Sequence, residues 1–163
     1  MATWITLCLA KRLGFEYLLS VLALVWCADI GAYFVGRALG KNKLAPILSP
    51  GKSWEGAIGG GVLVCAMGLI WARVPFQISG DGLLFGDSFF AKLWAQGPFV
   101  FFLSLFFLVS LSVVGDLFES LMKRAQGVKD SSHLLPGHGG ILDRLDAVIA
   151  CLPWCIFLTL YLK

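Results

Sequence analysis

The chain has 163 residues, is 58% hydrophobic and only 14% charged, and carries a formal net charge of +3; its mean hydropathy is +0.84. A soluble domain carries about 25% charged residues. The composition therefore excludes an ordinary soluble fold and points to an all-α, polytopic integral membrane bundle, and so small a net charge gives no reason to expect a nucleic-acid partner.

A transmembrane barrel is also excluded, since it would show short alternating segments and not continuous apolar runs. Residues 1–14 are apolar but broken by Lys11 and Arg12 and offer no cleavage site, so no cleavable signal is expected. The first predicted span runs from about Phe15 to Phe34, the second from Trp54 to Ala72, the third from Pro98 to Leu121 and the fourth from Ile141 to Leu162. Each has about 20 residues, enough to cross roughly 30 Å of hydrocarbon. The whole of 1–163 reads as a single transmembrane domain. Gly59, Gly60 and Gly61 in the second span predict a close helix contact, and Pro153 predicts a kink in the fourth. The five cysteines, Cys8, Cys27, Cys65, Cys151 and Cys155, lie in apolar surroundings and are expected to pack, without a metal or redox role.

The connections differ in charge. Loop 35–53 holds Arg37, Lys41, Lys43 and Lys52 with no acidic residue, and loop 122–140 holds Lys123, Arg124 and Lys129 with one, Asp130. The positive-inside rule puts both in the cytoplasm, although Lys11, Arg12 and Lys163 then fall outside. Both loops thus emerge on one face. The intervening stretch, about 73–96, carries no functional signal.

Several polar residues are costly where they stand. Asp29 is deep in the first span, Asp116 and Glu119 end the third, and Asp143 and Asp146 open the fourth. An Asp at a helix centre costs about 2.5–3.5 kcal/mol on insertion scales. Structural ion pairs, Asp29 with Arg37 or Asp116 with Lys123, are one account of them. Spacing favours a site: Asp116, Glu119, Ser120 and Lys123 fall on one helical stripe, and Asp143 and Asp146 on one face of the next helix. Paired carboxylates without a cysteine or histidine cluster suit Mg²⁺, which binds through one or two carboxylates and substrate phosphates. The loops suit phosphate. PGHGG at 136–140 places Gly139 and Gly140 just before a helix, where backbone N–H groups can approach an anion. SPGKSWEG at 49–56 offers Ser49, Lys52 and Ser53 as donors, though it lacks the Walker A spacing. His133 reads as structural, and His138 as either a hydrogen-bonding partner of its loop or an acid.

The stretch SLMKRAQGVKDSSHLLPGHGGILDRLD, from Ser120 to Asp146, resembles the signature of the phosphatidate cytidylyltransferase (CDP-diglyceride synthase) family. The shared positions are Ser120, Lys123, Arg124, Lys129, Asp130, His138, Gly139, Gly140, Asp143, Arg144 and Asp146, with no departure among them. GDLFES at 115–120 and ADIGAYFVGRALGKNKLAPILSPGKSWEG at 28–56 also look like the family, so the resemblance covers about residues 22–160. Family members are longer, and the chain looks like their C-terminal, motif-bearing part, with N-terminal helices expected to be missing.

The resemblance implies a transferase of phospholipid biosynthesis: CTP and phosphatidic acid give CDP-diacylglycerol and pyrophosphate. It implies a Mg²⁺-dependent, multi-pass enzyme of the bacterial inner membrane that faces the cytoplasm and forms a homodimer. By similarity Asp116 and Asp143 hold the metal. Lys123, Arg124, Lys129 and Arg144 would neutralise phosphate charge, while Ser49, Lys52 and Ser53 cradle a substrate with help from His138, Gly139 and Gly140. Asp146 would support the site or take a second, monovalent cation, and Asp29 would line the cavity floor. Two other classes compete: a transporter with Asp29 on its path, and an inactive truncated chain that only associates with a full-length partner. Against the first, the polar residues gather at one face and do not cross the bilayer.

Overall fold

The computed structural model describes residues 2–46, 48–73, 88–128 and 142–161. In chain order these form α1 (Ala2–Leu13), α2 (Phe15–Leu39), β1 (Lys43–Ala45), β2 (Ser49–Ser53), α3 (Trp54–Arg73), α4 (Phe89–Ala95), α5 (Pro98–Ala125) and α6 (Leu142–Tyr161). The expected helical bundle is present. Of its helices α2, α3 and α5 are long and apolar enough to cross a membrane. The fourth expected span is α6, whose 20 described residues, Leu142–Tyr161, match the predicted bounds of about Ile141 to Leu162. Its 20 residues rise roughly 30 Å, about the thickness of a hydrocarbon core. The first and third spans are longer than predicted, because Arg37, Lys123 and Arg124 continue their helices and sit in the last turns.

The start of the chain is a further helix. Gly14, at φ 129°, breaks it from α2 with a backbone conformation that an L side chain rarely adopts. Loop 35–53 is also more ordered than its composition implied. β1 and β2 pair antiparallel, Lys43 with Ser53 and Ala45 with Ser49, and the register shifts between them. The ribbon is clamped to α3: Trp54 N donates to Asn42 O at 3.0 Å, and Glu55 Oε1 accepts from Asn42 N at 3.1 Å and Nδ2 at 2.8 Å.

The stretch with no functional signal contains α4, which is part of the core. Phe89, Phe90 and Leu93 are buried with Val21 and Leu24 of α2, Phe101 and Leu105 of α5, and Leu152 of α6. Ser20 Oγ accepts from Phe89 N at 2.9 Å, and the Tyr17 and Phe89 rings meet edge-on at 5.9 Å. Tyr17 also ties α2 to α6, its Oη donating to Cys155 O at 3.0 Å and lying 2.8 Å from Thr159 Oγ1. Tyr17→Phe is expected to lower unfolding free energy by about 1 kcal/mol, read by thermal denaturation in detergent. The loss is no larger because Thr159 Oγ1 still donates to Cys155 O. Cys151 and Cys155 are buried and Cys27 and Cys65 pack against the core, as expected, whereas Cys8 is exposed.

The closest helix contact is between α2 and α3. The Gly60 Cα lies 2.9 Å from where a Cβ on Gly31 would stand, and a Cβ on Gly60 would come 2.5 Å from Ala28 O. A Cβ on Gly56 would come 2.7 Å from Ala32 O. Gly56 and Gly60 thus face Ala28, Gly31 and Ala32 across a seam of small residues, the usual means of bringing membrane helices together. The expectation of a close contact holds for Gly59 and Gly60. It fails for Gly61, where an added Cβ would meet only Val109 Cγ1 at 3.7 Å, on α5.

Candidate active site

The small residues of the seam carry their polar neighbours to one end of the bundle. There a cavity of about 630 Å³ opens between the second half of α2, the ribbon, the start of α3 and the middle of α5. Asp29, Tyr33 and Arg37 come from α2; Lys43, Ser49, Lys52 and Ser53 from the ribbon; Ser112 and Asp116 from α5. Its size is within the range of small-molecule sites, about 300–1,000 Å³.

The central contact joins two distant parts of the sequence. Lys52 Nζ forms an ion pair with Asp116 Oδ2, both side chains half-buried. Asp29 lies close enough to feel the charges of Asp116, Asp146 and Lys52. Asp146 lies close enough to feel Asp116, Lys52 and Glu119 in turn. Its Oδ1 accepts from Ala147 N at 2.6 Å. Glu119 also sits 3.6 Å from Lys123 Nζ, one turn along α5. Asp29, Asp116 and Asp146, from three helices, therefore lie near one another and near the lysine of the ribbon.

Both ion pairs offered by spacing are corrected. Asp116 pairs with Lys52 and not Lys123, which pairs with Glu119. Arg37 turns from Asp29 to Tyr33, Nη1 donating to Oη at 2.9 Å. The reason is reach: a partner seven or eight positions along one helix is two turns away, while the ribbon delivers Lys52 directly above Asp116. Ser53 has a local task. Its buried Oγ accepts from Gly56 N at 3.2 Å, capping α3 in the usual N-cap manner. Its hydroxyl proton is still available to donate into the cavity.

Of the residues predicted from sequence, Asp29, Ser49, Lys52, Ser53 and Asp116 line the cavity, and Asp146 adjoins it. Lys123 and Arg124 stand beyond Glu119 in the last turn of α5. Lys129, Asp130, His133, His138, Gly139 and Gly140 lie outside the described residues, as do the side chains of Asp143 and Arg144, whose backbone forms the first turn of α6. Sequence reasoning passed over Ser112, Tyr33, Arg37 and Lys43 as site residues. Three of these carried a readable signal: Ser112 is one turn before Asp116, and Tyr33 and Arg37 follow Asp29 at i+4 and i+8.

The lining sets three cations, Arg37, Lys43 and Lys52, against Asp29 and Asp116. Such a cavity suits an anion held beside carboxylates. Among the described residues no three acidic, histidine or cysteine side chains form a ready cage for a metal. Mg²⁺ asks for less, since one or two carboxylates suffice when water and substrate phosphates complete its shell. The oxygen-only donors around Asp116 fit that ion by chemistry.

A model of the cytidylyltransferase family matches residues 2–162. The phosphatidate cytidylyltransferase of Haemophilus influenzae is 49% identical over 141 residues, covering 86% of this chain and 44% of that protein. That of Pseudomonas aeruginosa is 46% identical over 155 residues, 94% of this chain and 51% of its own. That of Staphylococcus haemolyticus is 43% identical over 140 residues, 86% and 47%. The chain spans about half the length of the curated relatives it matches.

Proposed function

The chain belongs to the cytidylyltransferase family, and from that premise we propose that it transfers the cytidylyl group of CTP to phosphatidic acid, releasing pyrophosphate and forming CDP-diacylglycerol. The observation that carries the reading is the Lys52–Asp116 pair. It joins Lys52 of the first motif block, 28–56, to Asp116 of the second at one cavity that holds both cations and carboxylates.

In the reaction a phosphate oxygen of phosphatidic acid attacks the α-phosphorus of CTP. That P–O bond forms as the bond to the β-phosphate oxygen breaks, and pyrophosphate leaves with the electron pair. The nucleophile is already anionic near neutral pH, so no strong base is needed. The task is to bring two polyanions together and to stabilise the charge on the leaving group. Arg37, Lys43 and Lys52 supply fixed positive charge in the cavity, and Lys123, Arg124, Lys129 and Arg144 add more from the following stretch. Ser49 and Ser53 donate to phosphate oxygens. Asp116 and Asp143 would hold Mg²⁺, which would screen the nucleotide phosphates and the departing pyrophosphate. Asp146, whose Oδ1 accepts from Ala147 N, supports the site or takes a second cation.

The same reading puts the protein in the bacterial inner membrane as a homodimer, with the cavity open to the cytoplasm, where CTP is found. Its support is the basic ribbon beside the cavity mouth. The test is direct. Membranes holding this chain, from cells depleted of their own synthase, are incubated with labelled CTP, phosphatidic acid and Mg²⁺. Labelled CDP-diacylglycerol is expected. An inserted, folded chain that forms none overturns the assignment.

A further inference from the structure

A second cavity, of about 600 Å³, runs between α3 and α5. Its walls are apolar, with Ile58 and Val62 on α3 and Phe106 and Val114 on α5 all largely exposed. Among the described lining residues the one hydroxyl, Ser110 Oγ, is turned back to donate to Phe106 O at 2.8 Å. The groove adjoins the polar cavity, for Leu44, Ala57, Val109 and Val113 line both. A molecule with a phosphate in the first could lay a chain in the second without leaving the protein.

We propose that this groove receives one acyl chain of the lipid substrate, and that Gly61 keeps it wide enough to do so. The proposal rests on the phosphatidic acid reading above. The groove follows α3 from Trp54 to Cys65, a rise of about 17 Å, close to half of the roughly 30 Å hydrocarbon core. That is the depth of one leaflet, which an acyl chain occupies when its headgroup is at the membrane surface. Gly61 supplies an independent observation. Its neighbours Gly59 and Gly60 are small because α2 presses on them, whereas nothing presses on Gly61. A large side chain there would fill the groove without touching the α2–α3 seam.

The test uses phosphatidic acid carrying a diazirine midway along one acyl chain, photolysed with the full chain in lipid–detergent micelles. Label is expected on peptides of α3 and α5, and excess unlabelled long-chain phosphatidic acid should compete it away. Gly61→Phe should reduce the label about tenfold. Leu103→Phe, on an exposed stretch of α5 outside the groove, should not. In turnover, Gly61→Phe should lower the ratio of dioleoyl to dihexanoyl substrate use by about tenfold. Label spread evenly over the lipid-facing helices, or an equal loss for both chain lengths, overturns the proposal. A wild-type chain that labels in the groove yet transfers nothing to either lipid sinks the reaction and leaves the groove. Turnover of both lipids with label elsewhere does the reverse.

Discussion

Asp116→Asn is expected to lower cytidylyl transfer at least about 100-fold, the scale on which one preorganised charge counts in an active site, while the chain still inserts and folds. The substitution keeps shape and hydrogen-bonding capacity and removes only the charge. That charge has two candidate uses, and the structure allows them to be separated. In the first, Asp116 is the structural counter-ion of Lys52, and its loss strands a half-buried ammonium. Breaking such a pair from one side is destabilising, while replacing both partners by neutral groups is often tolerated. Lys52→Met added to Asp116→Asn would then restore stability, and turnover would return to the level of Lys52→Met alone. In the second, the carboxylate is needed for the chemistry. The double variant then regains stability but no turnover, and the Mg²⁺ concentration required by any residual activity rises. Non-additivity is expected in both cases, since the two side chains touch; it is the quantity that recovers that decides. Rescue of turnover in the double variant would remove Asp116 from the catalytic set.

The same pair shows where the sequence stopped being legible. Four apolar runs announce four helices because hydropathy is a local property. The carboxylates stand out for a similar reason: each is costly in its own segment, whatever surrounds it. What pairs with them is not local. Helical spacing compares residues of one helix only, so it joined Asp116 to Lys123 and Asp29 to Arg37, and could not see Lys52 arriving from the ribbon. The ribbon itself was hidden because KLA and SPGKS are too short to alternate, and Pro50 and Gly51 read as turn residues. α4 was hidden differently. FFAKLWA has only seven residues, below the length at which a period of 3.6 can be told from chance, and its place is fixed by burial against α2 and α5. The glycine run was read correctly as a contact in two of three positions. A seam has a face, so a third glycine in succession had to point elsewhere.

That face gives the second large effect. Gly60→Ala and Gly61→Ala, the same change at adjacent positions of one helix, are expected to move stability in opposite directions. Taken alone, glycine to alanine inside a helix gains about 0.5–1 kcal/mol. At Gly61 little opposes this gain, because the new methyl would meet Val109 Cγ1 at 3.7 Å, an ordinary contact. At Gly60 the methyl would lie 2.5 Å from Ala28 O and 3.3 Å from Ala32 N. Both are backbone atoms of a helix and cannot swing aside, so α2 and α3 must separate. Overpacking of this kind costs about 1–3 kcal/mol or more, enough to outweigh the propensity gain. The damage extends beyond stability. α2 carries Asp29, Tyr33 and Arg37, and Ser53 sits where Gly36 and Gly56 meet, so parting the two helices also opens the polar cavity. Gly60→Ala should therefore melt at lower temperature than wild type in detergent and lose turnover in step, and Gly60→Val should yield little folded protein. Gly61→Ala should melt at or above the wild-type temperature. Equal shifts for the two alanine variants would mean that α2 and α3 do not meet along this seam, and the cavity built on their contact would fall with it.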